Sequence, residues 1–77
     1  MSPRVPIVKP REVLRALQKA GFEIHHQSGS HAQLKYPGKL HLRVTVPRHD
    51  RFDLPVPVLR SITRQAGMTV EEFLEFL

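Results

Sequence analysis

Three short stretches of this chain alternate apolar and polar side chains one residue at a time: "FEIHHQ" at 22–27, "HAQLKY" at 31–36 and "LHLRVTV" at 40–46. Only "SGS" and "PGK" separate them, and both are tight-turn sequences. Strict alternation marks a strand with one buried and one solvated face. Joined this closely, the three strands are restricted to an antiparallel meander. Phe22, Ile24 and His26, then Ala32, Leu34 and Tyr36, then Leu40, Leu42, Val44 and Val46 are expected on the apolar face. Glu23, His25 and Gln27, then His31, Gln33 and Lys35, then His41, Arg43 and Thr45 fall on the other. Gly29 is expected to supply positive φ in the first turn.

An apolar sheet face needs a cover, and the flanking sequence supplies two. "KPREVLRALQKAGF" places Val13, Leu14, Leu17 and Ala20 on one helical stripe, with Arg11, Arg15 and Lys19 opposite. Pro10 suits a first turn and Gly21 a left-handed stop, which predicts a helix over about 10–20. "PVLRSITRQAG" repeats the pattern with Leu59, Ile62 and Ala66, and Gly67 ends it. Thr69 and Glu72 form a capping box for a short last helix. The proline-rich "PRHDRFDLPVP" between sheet and second helix reads as a surface loop. The expected fold class is α+β, a two-layer α-β-β-β-α sandwich with a short C-terminal helix. Residues 1–77 are expected to form one domain, with 1–8 as a loose N-terminal tail.

Seventy-seven residues bury only about 60% of the surface exposed on unfolding, so an enclosed substrate cavity is not expected. The absence of cysteine removes disulfides and thiolate zinc sites and suits a cytoplasmic location. No apolar run approaches the roughly 20 residues needed to cross a bilayer, and the N-terminus lacks a signal-peptide core. No membrane association is expected. Residues 1–70 carry twelve basic against four acidic side chains, a net +8, because Glu71, Glu72 and Glu75 close the chain. That balance favours a polyanionic partner, nucleic acid before an acidic protein.

The exposed sheet face is where chemistry has room. His31, Gln33, Lys35, His41, Arg43 and Thr45 share it by parity, and none is acidic. Arg48 and His49, with Arg51, extend the basic character past the third strand. A solvated face is the ordinary reading of such a surface; its sign also suits phosphate tracking. For the histidines, metal binding is disfavoured. His25 and His26 are expected to point to opposite faces, and His31 and His41, expected to approach one another across strands, lack a nearby carboxylate or thiolate to complete a site. Neither a metal nor another cofactor is expected. Ser28 and Ser30 are not on a nucleophile elbow and are better suited to bonding the turn's own backbone, although Ser30 can also offer its hydroxyl or amide to a phosphate. What remains is acid–base chemistry on RNA, with an imidazole taking a 2′-hydroxyl proton while cations offset the charge that develops. His31, opening a strand after a glycine turn, suits that role. A structural or incidental histidine is the competing reading.

"LRALQKAGFEIHHQSGSHAQLKYP", "VTVPRHD" and "LRSITRQAGMTVEEFLEFL" occur in order and closely resemble the HicA family of toxins, RNA-cleaving partners of HicB antitoxins, from about Pro10 to Leu77. Ala-Gly-Phe, Gly-Ser-His and Val-Pro-Arg-His carry the match. The resemblance implies a fold like that of double-stranded-RNA-binding domains and a metal-independent endoribonuclease that cuts mRNA. It implies His31 as the catalytic histidine and Gly29 as the turn residue that exposes it. Ser30, Lys35, His41, Arg43, Arg48 and His49 are the accompanying RNA-binding candidates. Many members have a second histidine after the first; here Ala32 stands there, on the expected core face. A HicB-type antitoxin is the implied protein partner. The alternative is a non-catalytic RNA-binding module of the same fold.

Overall fold

A computed structural model describes residues 5–77, in the order α1 (Pro10–Lys19), β1 (Glu23–Gln27), β2 (His31–Tyr36), β3 (Lys39–Pro47), α2 (Val56–Gln65) and α3 (Val70–Leu74). The three strands form one antiparallel sheet in the order β1-β2-β3. This is the α+β, α-β-β-β-α layout that the alternation and the two amphipathic stretches imply.

Pro10 starts α1, where a missing N–H costs nothing, and the Glu12 carboxylate accepts from the Lys9 N–H at 3.1 Å. Gly21 ends the helix at φ 111°, while the Gly21 and Phe22 N–H groups donate to Gln18 and Leu17 carbonyls, both at 3.0 Å. Gly67 closes α2 in the same way at φ 71°. Thr69 and Glu72 form the expected reciprocal cap on α3, at 3.1 and 2.9 Å.

Both long helices lie on one sheet face. Val13, Leu14, Ala16 and Leu17 of α1, with Leu59 and Ile62 of α2 and Ala66 at its C-terminal end, meet Ala32, Leu34, Val44 and Val46, all buried. Phe73 of α3, fully buried, completes this core. Fully burying one such side chain contributes about 1.5–3 kcal/mol, so these few residues hold the sandwich together. Ala32 is among them, at the core position parity gives it.

Alternation fails at two breaks in register. On β1, Ile24 pairs with Leu34 but His26 with Gln33, so His25 is an extra, bulged residue. The bulge carries His26 off the apolar face, and it is exposed. On β3, Tyr36 pairs with Lys39 and Lys35 with Arg43, leaving Leu40, His41 and Leu42 unpaired. Leu40 is consequently 66% exposed instead of inward-facing. Of the expected loose tail over 1–8, residues 1–4 lie outside the described residues. Val8 is buried at 3%, and its carbonyl accepts from the Leu54 N–H at 2.8 Å, tying the N-terminal segment to the loop before α2.

Candidate active site

The joint between β1 and β2 is built by serine. The Ser28 N–H donates to the His31 carbonyl at 2.9 Å, and the His31 N–H donates to Ser28 Oγ at 3.1 Å. Ser28 therefore bonds the turn's own backbone, as its residue type suggests. Gly29 does not take positive φ; the three glycines that do, among the described residues, are Gly21, Gly38 and Gly67. A Cβ at Gly29 would meet nothing within 4 Å. No internal constraint demands glycine here.

His31 opens β2 with its side chain exposed, directly opposite Pro47. Its Nδ1 lies 3.0 Å from Ser30 Oγ. When Oγ accepts from Nδ1–H, Nε2 is left with a free lone pair; when the hydroxyl donates, Nε2 carries the proton. Ser30 is held in turn, because the Arg48 N–H donates to its carbonyl at 2.7 Å. The Arg48 guanidinium donates to Gln27 Oε1 and, at 3.2 Å, to Asp50 Oδ2. One corner of the sheet thus gathers an exposed imidazole, a hydroxyl on its ring and a guanidinium, drawn from the ends of all three strands.

The other predicted residues divide by distance. Lys35 and Arg43 are cross-strand partners that flank a shallow polar depression of about 290 Å³ with Gln33 and Thr45. They stand four residues along β2 from His31, roughly 13 Å of extended chain. An acidic neighbour, Glu23, pairs with Lys35 and moderates the positive character of that face. His41 is six residues along β3 from Pro47, on the order of 20 Å from the His31 corner. The notion that His31 and His41 approach across strands is therefore corrected by the register. His49 lies beyond Arg48 in the loop, exposed.

The bulge also removes the argument that parity separates His25 from His26. No three His, Cys, Asp or Glu side chains among the described residues stand together as a metal site. Sequence reasoning missed Gln27 and Asp50, which hold Arg48. The Arg-His-Asp spacing offered a weak signal for Asp50, whereas Gln27, 21 positions earlier, offered none. No helix among the described residues is long and apolar enough to cross a membrane.

Residues 10–68, which include every residue of this corner, match the family model described as HicA toxin of bacterial toxin-antitoxin. No curated protein matches the chain.

Proposed function

The chain belongs to the HicA toxin family, toxins that act opposite a cognate antitoxin, and from that membership we propose that it is a metal-independent endoribonuclease that cuts mRNA through His31. The observation that carries this reading is the exposed His31 ring with Nδ1 engaged by Ser30 at 3.0 Å. With Ser30 Oγ as acceptor, Nε2 is the base that removes a ribose 2′-hydroxyl proton. The 2′-oxygen attacks the adjacent phosphorus, the bond to the 5′-oxygen breaks, and that oxygen takes a proton as it leaves. The products are a 2′,3′-cyclic phosphate and a 5′-hydroxyl end. Arg48, whose backbone N–H bonds the Ser30 carbonyl, is the candidate cation for charge developing on the scissile phosphate, its guanidinium exchanging Asp50 for the phosphate. Lys35 and Arg43, farther along β2, hold a neighbouring stretch of the backbone and not the reacting group. His41 is too far along β3 to join the reaction, and its role reduces to outlying RNA contact.

His31→Ala is expected to lower RNA cleavage by at least about a hundredfold, the usual scale for a general acid or base. Growth arrest disappears with it, while the fold and antitoxin binding survive because the side chain is exposed. Cleavage that persists undiminished in the folded variant refutes the assignment. Chelator should leave wild-type cleavage intact. A HicB-type antitoxin is proposed to silence the toxin by covering the His31 corner, so a complex that leaves this ring open counts against that part.

The separation of Lys35 and Arg43 from His31 favours a second reading, a module that binds RNA without cutting it. Labelled RNA that is retarded by the protein but never shortened would support it.

A further inference from the structure

Behind Pro47, on the helix side of the His31 corner, lies a cleft of about 470 Å³ at the meeting point of α1, the end of β3 and the start of α2. Pro10, Pro47, Leu54, Pro55 and Val58 form its apolar walls, with His49 and Phe52 as its two rings and Asp53 as its acidic member. The size lies within the roughly 300–1,000 Å³ typical of small-ligand clefts. Phe52 is 69% exposed, although Leu54, two residues on, is buried. Most of this aromatic residue is open to solvent.

We propose that this cleft takes one unpaired nucleobase of the RNA substrate, stacked on Phe52, from the strand adjoining the bond at His31. The inference rests on the reading of the chain as an RNA-binding toxin and adds what that reading lacks, a contact to a base. Three observations select a nucleobase. The first is continuity: Pro47 belongs both to the cleft and to the cross-strand pair with His31, whose Cα atoms stand about 5 Å apart. His31 faces the open side of the sheet and the cleft its helix side, so a strand with its phosphate at His31 brings its next base to the cleft by rounding the end of β3 at Pro47. The second is the chemistry of the lining. Flat rings and prolines suit the face of a base, and stacking needs no particular sequence because every base has a π-face. The third is charge. Arg48 precedes His49, Arg51 precedes Phe52 and Lys9 precedes Pro10, which places cations along the rim for the flanking phosphates. Two of the three are paired with acids, Arg48 with Asp50 at 3.2 Å and Lys9 with Asp53 at 3.3 Å, which leaves Arg51 as the unpaired cation of this rim among the described residues. A base drawn into this cleft must be unpaired, so the substrate is single-stranded at the cut.

The test measures the affinity of the full chain for a fluorescent single-stranded RNA oligonucleotide, in the His31→Ala background so that binding is read without cleavage. Adding Phe52→Ala is expected to raise Kd about tenfold, the scale of one lost base–aromatic stack. Phe52→Tyr, which keeps a ring, should restore it. On an abasic ribose-phosphate oligomer of equal length, Phe52→Ala should have no effect. An unchanged Kd, or an equal loss on abasic RNA, overturns the base site. So does a loss confined to the antitoxin complex, which would make the cleft a protein dock. Cleavage by the wild-type chain is scored separately. Phe52-dependent binding without cleavage keeps the base site and sinks the ribonuclease, and His31-dependent cleavage without Phe52 dependence does the reverse. No RNA binding by any variant removes both.

Discussion

At Ser30 and Gly29, the two residues before His31, function and stability come apart. Ser30 Oγ is hydrogen-bonded to the His31 ring and, among the described residues, to no other side chain. Ser30→Ala is therefore expected to leave the melting temperature nearly unchanged and to reduce RNA cleavage about three- to tenfold, the cost of one neutral hydrogen bond that orients the imidazole. Ser30→Thr should recover most of it. A loss as deep as that of His31→Ala would mean that the hydroxyl itself takes part in the chemistry. Gly29 gives a sharper contrast. Its backbone lies outside the left-handed region and its missing Cβ faces open space, so Gly29→Ala should be neutral for folding. If substrate passes over this turn, the added methyl meets it, and cleavage should fall several-fold at constant stability. Gly21 is the opposite case. At φ 111°, with a Cβ that would fall 2.9 Å from the Tyr36 ring, Gly21→Ala should cost roughly 1–3 kcal/mol of stability. Thermal denaturation of the two glycine variants side by side checks both statements.

Both β1 and β3 are edge strands, and β3, with nine residues against five, is the longer of the two. One of its N–H groups is satisfied from outside the sheet: Thr45 donates to Gln65 Oε1 of α2 at 3.0 Å, and Gln65 in turn donates to Ser61 Oγ at 3.1 Å. A side chain laid on an edge both anchors the helix and blocks strand addition there. Gln65→Ala is expected to cost about 0.5–1.5 kcal/mol, which in a domain of this size lowers Tm by about 4–8 °C per kcal/mol. Gln65→Glu keeps an accepting oxygen and should lose little; equal losses in both variants would show that the bond contributes nothing. This contact also marks where the sequence stops being legible. Helical stripes, stop glycines, the Thr69–Glu72 cap and the core positions of β2 depend on neighbours a few residues away, and all of them could be read directly. The bulge at His25, the unpaired Leu40–His41–Leu42 run and the Gln65 contact depend on which strand or helix lies alongside. Alternation assumes unbroken register, so it sent His26 inward, buried Leu40 and brought His41 toward His31. For the same reason Gln27 and Asp50 around Arg48 were not legible, and the Ser30 hydroxyl, expected on the turn's backbone or on a phosphate, lies instead on the His31 ring.

Over the whole molecule, the positive charge is spread more evenly than the alternation of the strands suggests. Arg11, Arg15 and Lys19 of α1 and Arg60 and Arg64 of α2 are exposed on the helical layer, while Lys35 and Arg43 lie on the opposite, sheet layer. Net charge alone therefore does not choose which face the RNA follows, because both layers offer cations. Position chooses, since His31 lies on the sheet side and a strand held there runs naturally toward the Lys35–Arg43 pair. Salt dependence can read this choice, because each phosphate contact on a single strand contributes about −0.7 to the slope of log K against log salt. Lys35→Gln with Arg43→Gln is expected to flatten that slope by roughly 1.4, two contacts' worth, and to weaken binding most at low salt. Arg60→Gln with Arg64→Gln removes the same formal charge from the far layer and should leave the slope nearly unchanged. All four side chains reach solvent, so the fold is not at stake in either pair. Equal flattening by both pairs would mean that only the overall field attracts RNA. Flattening by the α2 pair alone would place the strand on the helices, away from His31, and would remove the sheet face from the path of the substrate.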